Sequence, residues 1–438
     1  MRDHIVEGSE TVEKVLREDL LFSRRGLFRA TGLAASAWMA GRLGFDPLAW
    51  ADVGPSAALP RFGAENKARI VVDAAGHGDF RELLPAVAAL PRTGGSIFIR
   101  PGNYLLKGKT RHENPAPGLE WWTTVPLPSN VEIVGSGPAR TILHGSAADN
   151  TVILGAYGAA GIRLRGFTLA GGGNPGYGFG LFNCSESSVE NVVVFGGPRA
   201  RALNTGIGAY GRGNRFVGCR VFGARSIGFE LGYGDDGTVV ENCVARGCAV
   251  GLEFDGWETL PPSLRPPTPG NKNIVISNGH FTNNSNSGII LVFCRSAEVA
   301  NCALAANKFY GLAVVGTEPG QWANEPSPSL PGGMNVQCRG LAVLRNGSGR
   351  PGDAGVWLEG NGSSVFNSVF AGNRPNGVRI QGQRLELVNL RFRESANCVL
   401  NSGARASTLR GCHRDLQSTQ RGIFPNPSGL TVMGSPGF

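Results

Sequence analysis

Ile-Gly-Phe-Glu-Leu-Gly-Tyr-Gly-Asp-Asp-Gly at 227–237, Val-Gly-Leu-Glu-Phe-Asp-Gly-Trp-Glu at 250–258, Ser-Gly-Ile-Ile-Leu-Val at 287–292 and Tyr-Gly-Leu-Ala-Val-Val at 310–315 are variations on one phrase. Each reads as a short apolar strand opened by a glycine. Between them lie second strands built alike: Val240-Glu241-Asn242-Cys243, Ile276-Ser277-Asn278-Gly279 and Val299-Ala300-Asn301-Cys302. The period is about two dozen residues once insertions are set aside, which is the signature of stacked coils. The chain is therefore expected to form one elongated domain, although its 438 residues would by length alone suggest two or three.

Composition agrees with a strand-built solenoid. Glycine is abundant, at 66 residues, and only 17% of the chain is charged, which argues against helix-rich architectures. Apolar residues make up 41% and recur in alternation, which argues against disorder. The formal net charge is +9, and the first 51 residues add nothing to it, with seven basic and seven acidic side chains. The excess belongs to the rest of the chain, where it suits an anionic partner such as an acidic polysaccharide or simply aids solubility. There is no lysine-rich run and no nucleic-acid-binding motif.

The N-terminal segment carries Ser23-Arg24-Arg25-Gly26-Leu27-Phe28-Arg29, then a small and apolar run at 30–40, then Ala49-Trp50-Ala51. Paired arginines, a modest hydrophobic stretch and a small-x-small site resemble a bacterial twin-arginine export signal over residues 1–51. That resemblance implies a secreted or periplasmic protein that engages the twin-arginine export machinery and crosses the membrane already folded. The apolar run is too short for an ordinary membrane span, and no other candidate span exists. Residues 52–68, rich in proline, alanine and glycine, read as a linker before a repeat domain at 69–438.

The domain opens with Ile-Val-Val-Asp-Ala-Ala-Gly-His-Gly-Asp-Phe at 70–80, an apolar helical segment at 83–90, and Gly-Gly-Ser-Ile-Phe-Ile-Arg-Pro-Gly-Asn-Tyr at 94–104. Strand, short helix, glycine pair and a strand ending in Pro-Gly-x-Tyr resemble the entry of the pectate-lyase-like superfamily. The Gly-x-Gly-Asp-Phe at 76–80 is also similar to the start of pectin methylesterases, which share the fold. The resemblance implies an all-β, single-stranded right-handed parallel β-helix with a short N-terminal capping helix over its open strand edges. About ten coils can be counted. It implies the fold more than the chemistry. Gly234-Asp235-Asp236-Gly237 looks like the aspartate pair of polygalacturonases, yet their Gly-His-Gly and Arg-Ile-Lys are absent, as are the Asp-Pro-His-Asp of alginate epimerases and the Gly-x-x-Asp-Thr of pectin methylesterases.

A turn slot follows the second strand of each coil, at Gly166, Asn191, Gly218, Asn242, Asn278, Asn301, Cys338, Asn367, Asn389 and Gly411. Glycine and asparagine there suit a left-handed turn, and stacked asparagines can bond along the axis. The nine cysteines include Cys219, Cys243, Cys302 and Cys412 just after that slot, where they would stack as small buried hydrophobes. Disulfides remain open for an exported protein, with at least one thiol unpaired, and no Cys/His spacing suggests zinc.

Strand alternation sorts the coils into rows. One residue after the opening glycine come Leu181, Ala209, Phe229, Leu252, Ile289, Leu312, Val356 and Val378, a core row. Two after it come Phe182, Tyr210, Glu230, Glu253, Ile290, Ala313, Trp357 and Arg379, the row expected to face out. Adjacent strands lie about 4.8 Å apart, so Glu230 and Glu253 should stand one above the other. Carboxyls that close raise one another's pKa and match the pair of a retaining glycosidase. Asp255 lies two residues on, and Asp235 and Asp236 follow in the turn after Glu230.

Three uses fit this cluster: an acid/base or nucleophile pair for glycosidic bond hydrolysis at Glu230, Glu253 and Asp255; a calcium cradle at Asp235, Asp236 and Asp255 for β-elimination, with Arg295 or Arg379 nearest as base; or an acidic face that keeps a sheet soluble. Proline-rich insertions at 258–272 and 316–333, with Trp257 and Trp322 in or beside them, leave the same turn and would wall a groove. Trp121 and Trp122 would close one end. Exposed aromatics suit the apolar faces of sugars, so the substrate-binding set is Phe182, Tyr210, Asp235, Asp236, Trp257, Arg295, Trp322, Trp357 and Arg379. The expected function is an exported enzyme cleaving glycosidic bonds in a polysaccharide. A non-catalytic glycan-binding or envelope accessory β-helix is the rival from another class, and an O-acyl esterase fits less well because no serine–histidine pair stands out.

Overall fold

A computed structural model of the chain describes residues 69–116, 119–146, 151–172, 176–197, 203–256, 270–316, 333–415, 421–424, 429–436 and 438. The export signal at 1–51, the linker at 52–68, and the parts of the two insertions at 257–269 and 317–332, with Trp257 and Trp322, lie outside the described residues.

From Arg69 onward the chain winds as a parallel β-solenoid. A full coil contributes three strands, as in Val250–Asp255, Asn271–Ser277 and His280–Thr282. Like strands of successive coils pair in parallel, giving three ladders. Two ladders join into one 28-stranded sheet and the third forms a 12-stranded sheet, so the solenoid has about twelve coils where repeat counting expects about ten. The extra coils lie at the ends, where the glycine phrase fades. Repeat reading also sees two strands per coil. The third is only three residues long and hides behind the turn slot, as at Val244–Arg246 and Ala303–Ala305.

The inward rows fill the interior with Phe229, Leu231, Leu252, Phe254, Ile289, Leu291, Leu312 and Val314, all inaccessible to solvent. Burying each such side chain stabilises the coil by roughly 1.5–3 kcal/mol. The helix Leu83–Ala88 is shorter than the 83–90 read from sequence and buries Leu83, Ala86 and Val87 in the same core at the N-terminal end. The segment carrying Trp121 and Trp122 forms the one antiparallel pair among the described strands, Arg111–Ala116 with Leu119–Pro126, and its second strand starts the first ladder.

The turn slot is left-handed at nine of the ten expected positions, with φ between 47° and 69°. Cys338 is the miss: it is a buried strand residue within Gln337–Arg339, and Gly340 takes the turn with φ 63°. Asparagine stacking in this slot is superficial, as in the exposed Asn389–Asn367 contact of 3.1 Å. A deeper ladder stands one turn further on. Asn284, Asn307, Asn346 and Asn373 are buried, and each Nδ2 of the first three donates to the Oδ1 of the next at 3.0, 2.9 and 3.0 Å. All nine cysteines are buried and free of disulfides. Burial pushes the Cys184 thiol up to about 11, away from any thiolate role at neutral pH.

Candidate active site

Glu230 and Glu253 occupy the fourth positions of Ile227–Gly232 and Val250–Asp255 and are partners in register. Asp255 pairs with Gly232, one outward position further along. The expected stacking is therefore present. The expected exposure is not: Glu230, Glu253 and Asp255 are 9, 5 and 7% accessible.

A shift of two residues in the upstream coils explains part of this burial. Gly208 pairs with Glu230 and Gly180 with Gly208, whereas alignment on the glycine places Tyr210 and Phe182 there. Both coils carry Gly-x-Gly, and the true opening residues are Gly178 and Gly206. Phe182 and Tyr210 consequently fall beside Asp255's row. The vacated positions need glycine, since a Cβ on Gly208 would sit 2.7 Å from the Tyr177 ring. Without it, the ring packs against the sheet backbone and its hydroxyl donates to Glu230 Oε1 at 3.0 Å. The Tyr233 hydroxyl donates to the same oxygen at 3.1 Å, and Thr205 Oγ1 donates to Oε2 at 2.6 Å.

Burial pushes the Glu230 pKa above the ordinary carboxylate range against the pull of these three hydroxyls, and the Asp255 charge adds to the rise. Burial together with the Glu230 and Asp255 charges holds the phenols of Tyr177 and Tyr233 well above their usual range, so both remain donors. An aromatic chain leads to this carboxyl from the N-terminal end. Trp121 meets Phe182 at 4.7 Å, Phe182 meets Tyr210 at 5.7 Å, and Tyr210 meets Tyr233 at 5.6 Å. Of these rings, Tyr177 and Tyr233 escape a search for outward rows, because one precedes its opening glycine and the other is a left-handed turn residue with φ 56°. The pairing of tyrosine and glycine in Tyr177-Gly178 and Tyr233-Gly234 is the signal that was there to be read.

In the other direction the row of Glu230 and Glu253 continues in register through Ile290, Ala313, Trp357 and Arg379. Arg295 belongs elsewhere, in the second ladder opposite Lys272 and Met334.

Asp235 and Asp236 do not join the acidic row. Asp235 is fully buried, its Oδ1 accepts the Gly211 N–H at 2.8 Å and its Oδ2 has no partner. Asp236 points the other way, to Lys272 at 3.3 Å and Arg212 at 3.8 Å. Burial opposes its charge, but the Asn273 amide and these cations hold its carboxyl below the usual range. The expected calcium set Asp235, Asp236 and Asp255 is thus divided, with Asp235 turned inward and Asp236 outward, and among the described residues no three histidine, cysteine or carboxylate side chains converge as a metal site. The turn Gly234-Asp235-Asp236-Gly237 alternates inward and outward, which strand periodicity does not cover.

Burial pushes the Asp235 carboxyl up to about 8, offset in part by the Gly211 N–H. Because this lies above the ordinary 3.8, folding takes up a proton between those values. Its contribution to stability is fully present below pH about 4 and is lost as pH rises through about 8. Asp235→Asn should flatten this slope and, at pH 9, stabilise the fold by roughly 2–5 kcal/mol relative to the parent. Urea midpoints at pH 5, 7 and 9 check it, and an unchanged slope refutes it.

No family model matches the sequence, and no curated protein matches it. Solved structures do match. One is the catalytic domain of a GH87 alpha-1,3-glucanase in complex with tetrasaccharides, at 14% identity and TM-score 0.63, over 87% of this chain and 71% of that one. Another is the catalytic unit of a thermostable GH87 alpha-1,3-glucanase from Streptomyces thermodiastaticus, at 15% identity and TM-score 0.57, over 81% of this chain and 65% of that one. At such identities the likeness is one of fold, and it supports the parallel β-helix assignment.

Proposed function

We propose that the chain is an exported polysaccharide-cleaving enzyme whose reacting groups are Glu230, Glu253 and Asp255. The observation that carries this reading is the register pairing of Glu230 with Glu253, beside Asp255, at the end of an aromatic row. A carboxyl with a raised pKa serves as a general acid, and a second one about 5 Å away serves as a nucleophile. In this assignment Glu230 protonates the leaving oxygen as the glycosidic bond breaks. Glu253 forms a bond to the anomeric carbon, and water later releases the sugar with Glu230 taking back a proton. Asp255 keeps the Glu230 acidity low by like charge. Hydrolysis is favoured over calcium-assisted elimination because neither candidate base reaches the acids: Arg295 lies in another ladder and Arg379 stands four register steps from Glu253.

The test is a polysaccharide panel, α-1,3-glucan and acidic polymers included, on the chain from residue 52, reading reducing ends and the ultraviolet absorbance of unsaturated uronates. Reducing ends without absorbance support hydrolysis, and absorbance supports elimination instead. Silence across the panel favours the second reading, a non-catalytic glycan-binding β-helix. That reading draws on the three hydroxyls that already satisfy Glu230.

Export by the twin-arginine route, to the periplasm or beyond, belongs to the same proposal and rests on Arg24-Arg25 and the apolar run that follows. Changing both arginines to lysine should leave the full chain in the cytoplasmic fraction. Undiminished export of that variant would sink the assignment.

A further inference from the structure

We infer that Arg379 is a specificity-determining residue that grips the anionic group of a sugar unit lying downstream of the acidic row. This rests on the polysaccharide reading above and names the class of polymer. Arg379 stands four register steps from Glu253, through Ile290, Ala313 and Trp357, a separation of roughly 19 Å at the usual strand spacing. An oligosaccharide laid along the row reaches both, and a single sugar ring does not.

The side chain is half-buried, and its guanidinium lies over the Trp357 ring, 4.1 Å from the centroid. Tyr310 packs on Trp357 at 5.4 Å, on the strand before it. These contacts fix the plane of the guanidinium without neutralising it. Among the described residues no carboxylate oxygen lies within ion-pair distance of Arg379. Asp353 is occupied by the Ser348 N–H and hydroxyl, both at 2.7 Å. Glu359, on the neighbouring strand opposite Gln381, has its pKa raised by burial and feels the Arg379 charge against that rise, but does not close to an ion pair with it. The Nε of Arg379 and the Nε1 of Trp357 have no hydrogen-bond acceptor.

A half-buried guanidinium that is stacked, oriented and unpaired lacks the partner such groups normally have. A carboxylate or ester sulfate on a sugar supplies it, because the planar fork matches those oxyanions. The charge distribution agrees. Residues 334–438 contain twelve arginines, no lysine and five acids, so this stretch carries +7 of the chain's +9. A polymer running from the acidic row toward Arg379 thus enters an increasingly positive field.

The experiment is calorimetric titration of the chain from residue 52 with hexamers of galacturonate, mannuronate and sulfated galactose, and with neutral maltohexaose, at low and moderate salt. At least one anionic hexamer should bind about ten-fold tighter than the neutral one, and the preference should shrink with salt. Arg379→Gln should erase that preference, bringing the anionic hexamer to within about two-fold of the neutral one. Arg379→Lys should restore only part, since it keeps the charge and loses the fork. Melting curves of both variants report whether they fold, and the lysine variant carries the test if the glutamine variant does not. No preference for any anionic hexamer, or a preference that survives Arg379→Gln, overturns the inference. Cleavage of the panel with no anionic preference would refute this inference alone, whereas preference without cleavage would refute the enzymatic proposal alone.

Discussion

Glu230→Gln should lower kcat on the cleaved polysaccharide by about 10³-fold while KM moves little. Glutamine keeps an acceptor for the Tyr177, Tyr233 and Thr205 hydroxyls, all of which can rotate, so the network stays filled. What is lost is the transferable proton. A companion measurement separates a proton donor from a structural carboxyl. The Asp255 charge helps to raise the Glu230 pKa. Removing it in Asp255→Asn lowers that pKa, so the alkaline limb of kcat/KM should move to lower pH. A structural role for Glu230 predicts instead a loss of melting temperature in Glu230→Gln with the pH profile unmoved, and that outcome would end the proposed mechanism.

Asn307→Leu should destabilise the repeat domain by roughly 3–6 kcal/mol, read as a lower urea midpoint. Asn307 Oδ1 accepts from the Asn284 N–H at 3.1 Å and the Asn284 Nδ2 at 3.0 Å. Its own Nδ2 donates to the Phe281 carbonyl at 3.0 Å and to Asn346 Oδ1 at 2.9 Å. Leucine is of similar size and fills the space, so the loss comes from buried polar groups left without partners. Asn389→Ala is the contrast. Its axial bond is exposed and its main role is a left-handed turn with φ 54°, so roughly 1–2 kcal/mol is expected. Equal losses in the two variants would mean that the buried ladder has no special weight.

The comparison of these two asparagine rows shows how far the sequence can be read. Asn242, Asn278, Asn301, Asn367 and Asn389 announce a turn because left-handed backbone limits the choice of residue. Asn284, Asn307 and Asn373 stand four residues before the opening glycines Gly288, Gly311 and Gly377, a spacing as regular as the first. Nothing local tells an inward asparagine from an outward one. Only the neighbouring coil, which supplies or withholds the partner, decides it.

The same division runs through the site. The sequence alone determined the solenoid, the inward rows, the stacking of Glu230 on Glu253 and the shared row with Trp357 and Arg379, because these follow from a period-two strand and a repeating coil. The tertiary structure decided what surrounds them. Gly208 lets Tyr177 reach across a coil to Glu230, Asp235 turns inward while Asp236 turns out to Lys272, and Arg295 falls on another ladder. Burial and hydrogen bonding set a carboxyl's acidity, and both come from residues that are distant in the chain and adjacent only once the coils have stacked.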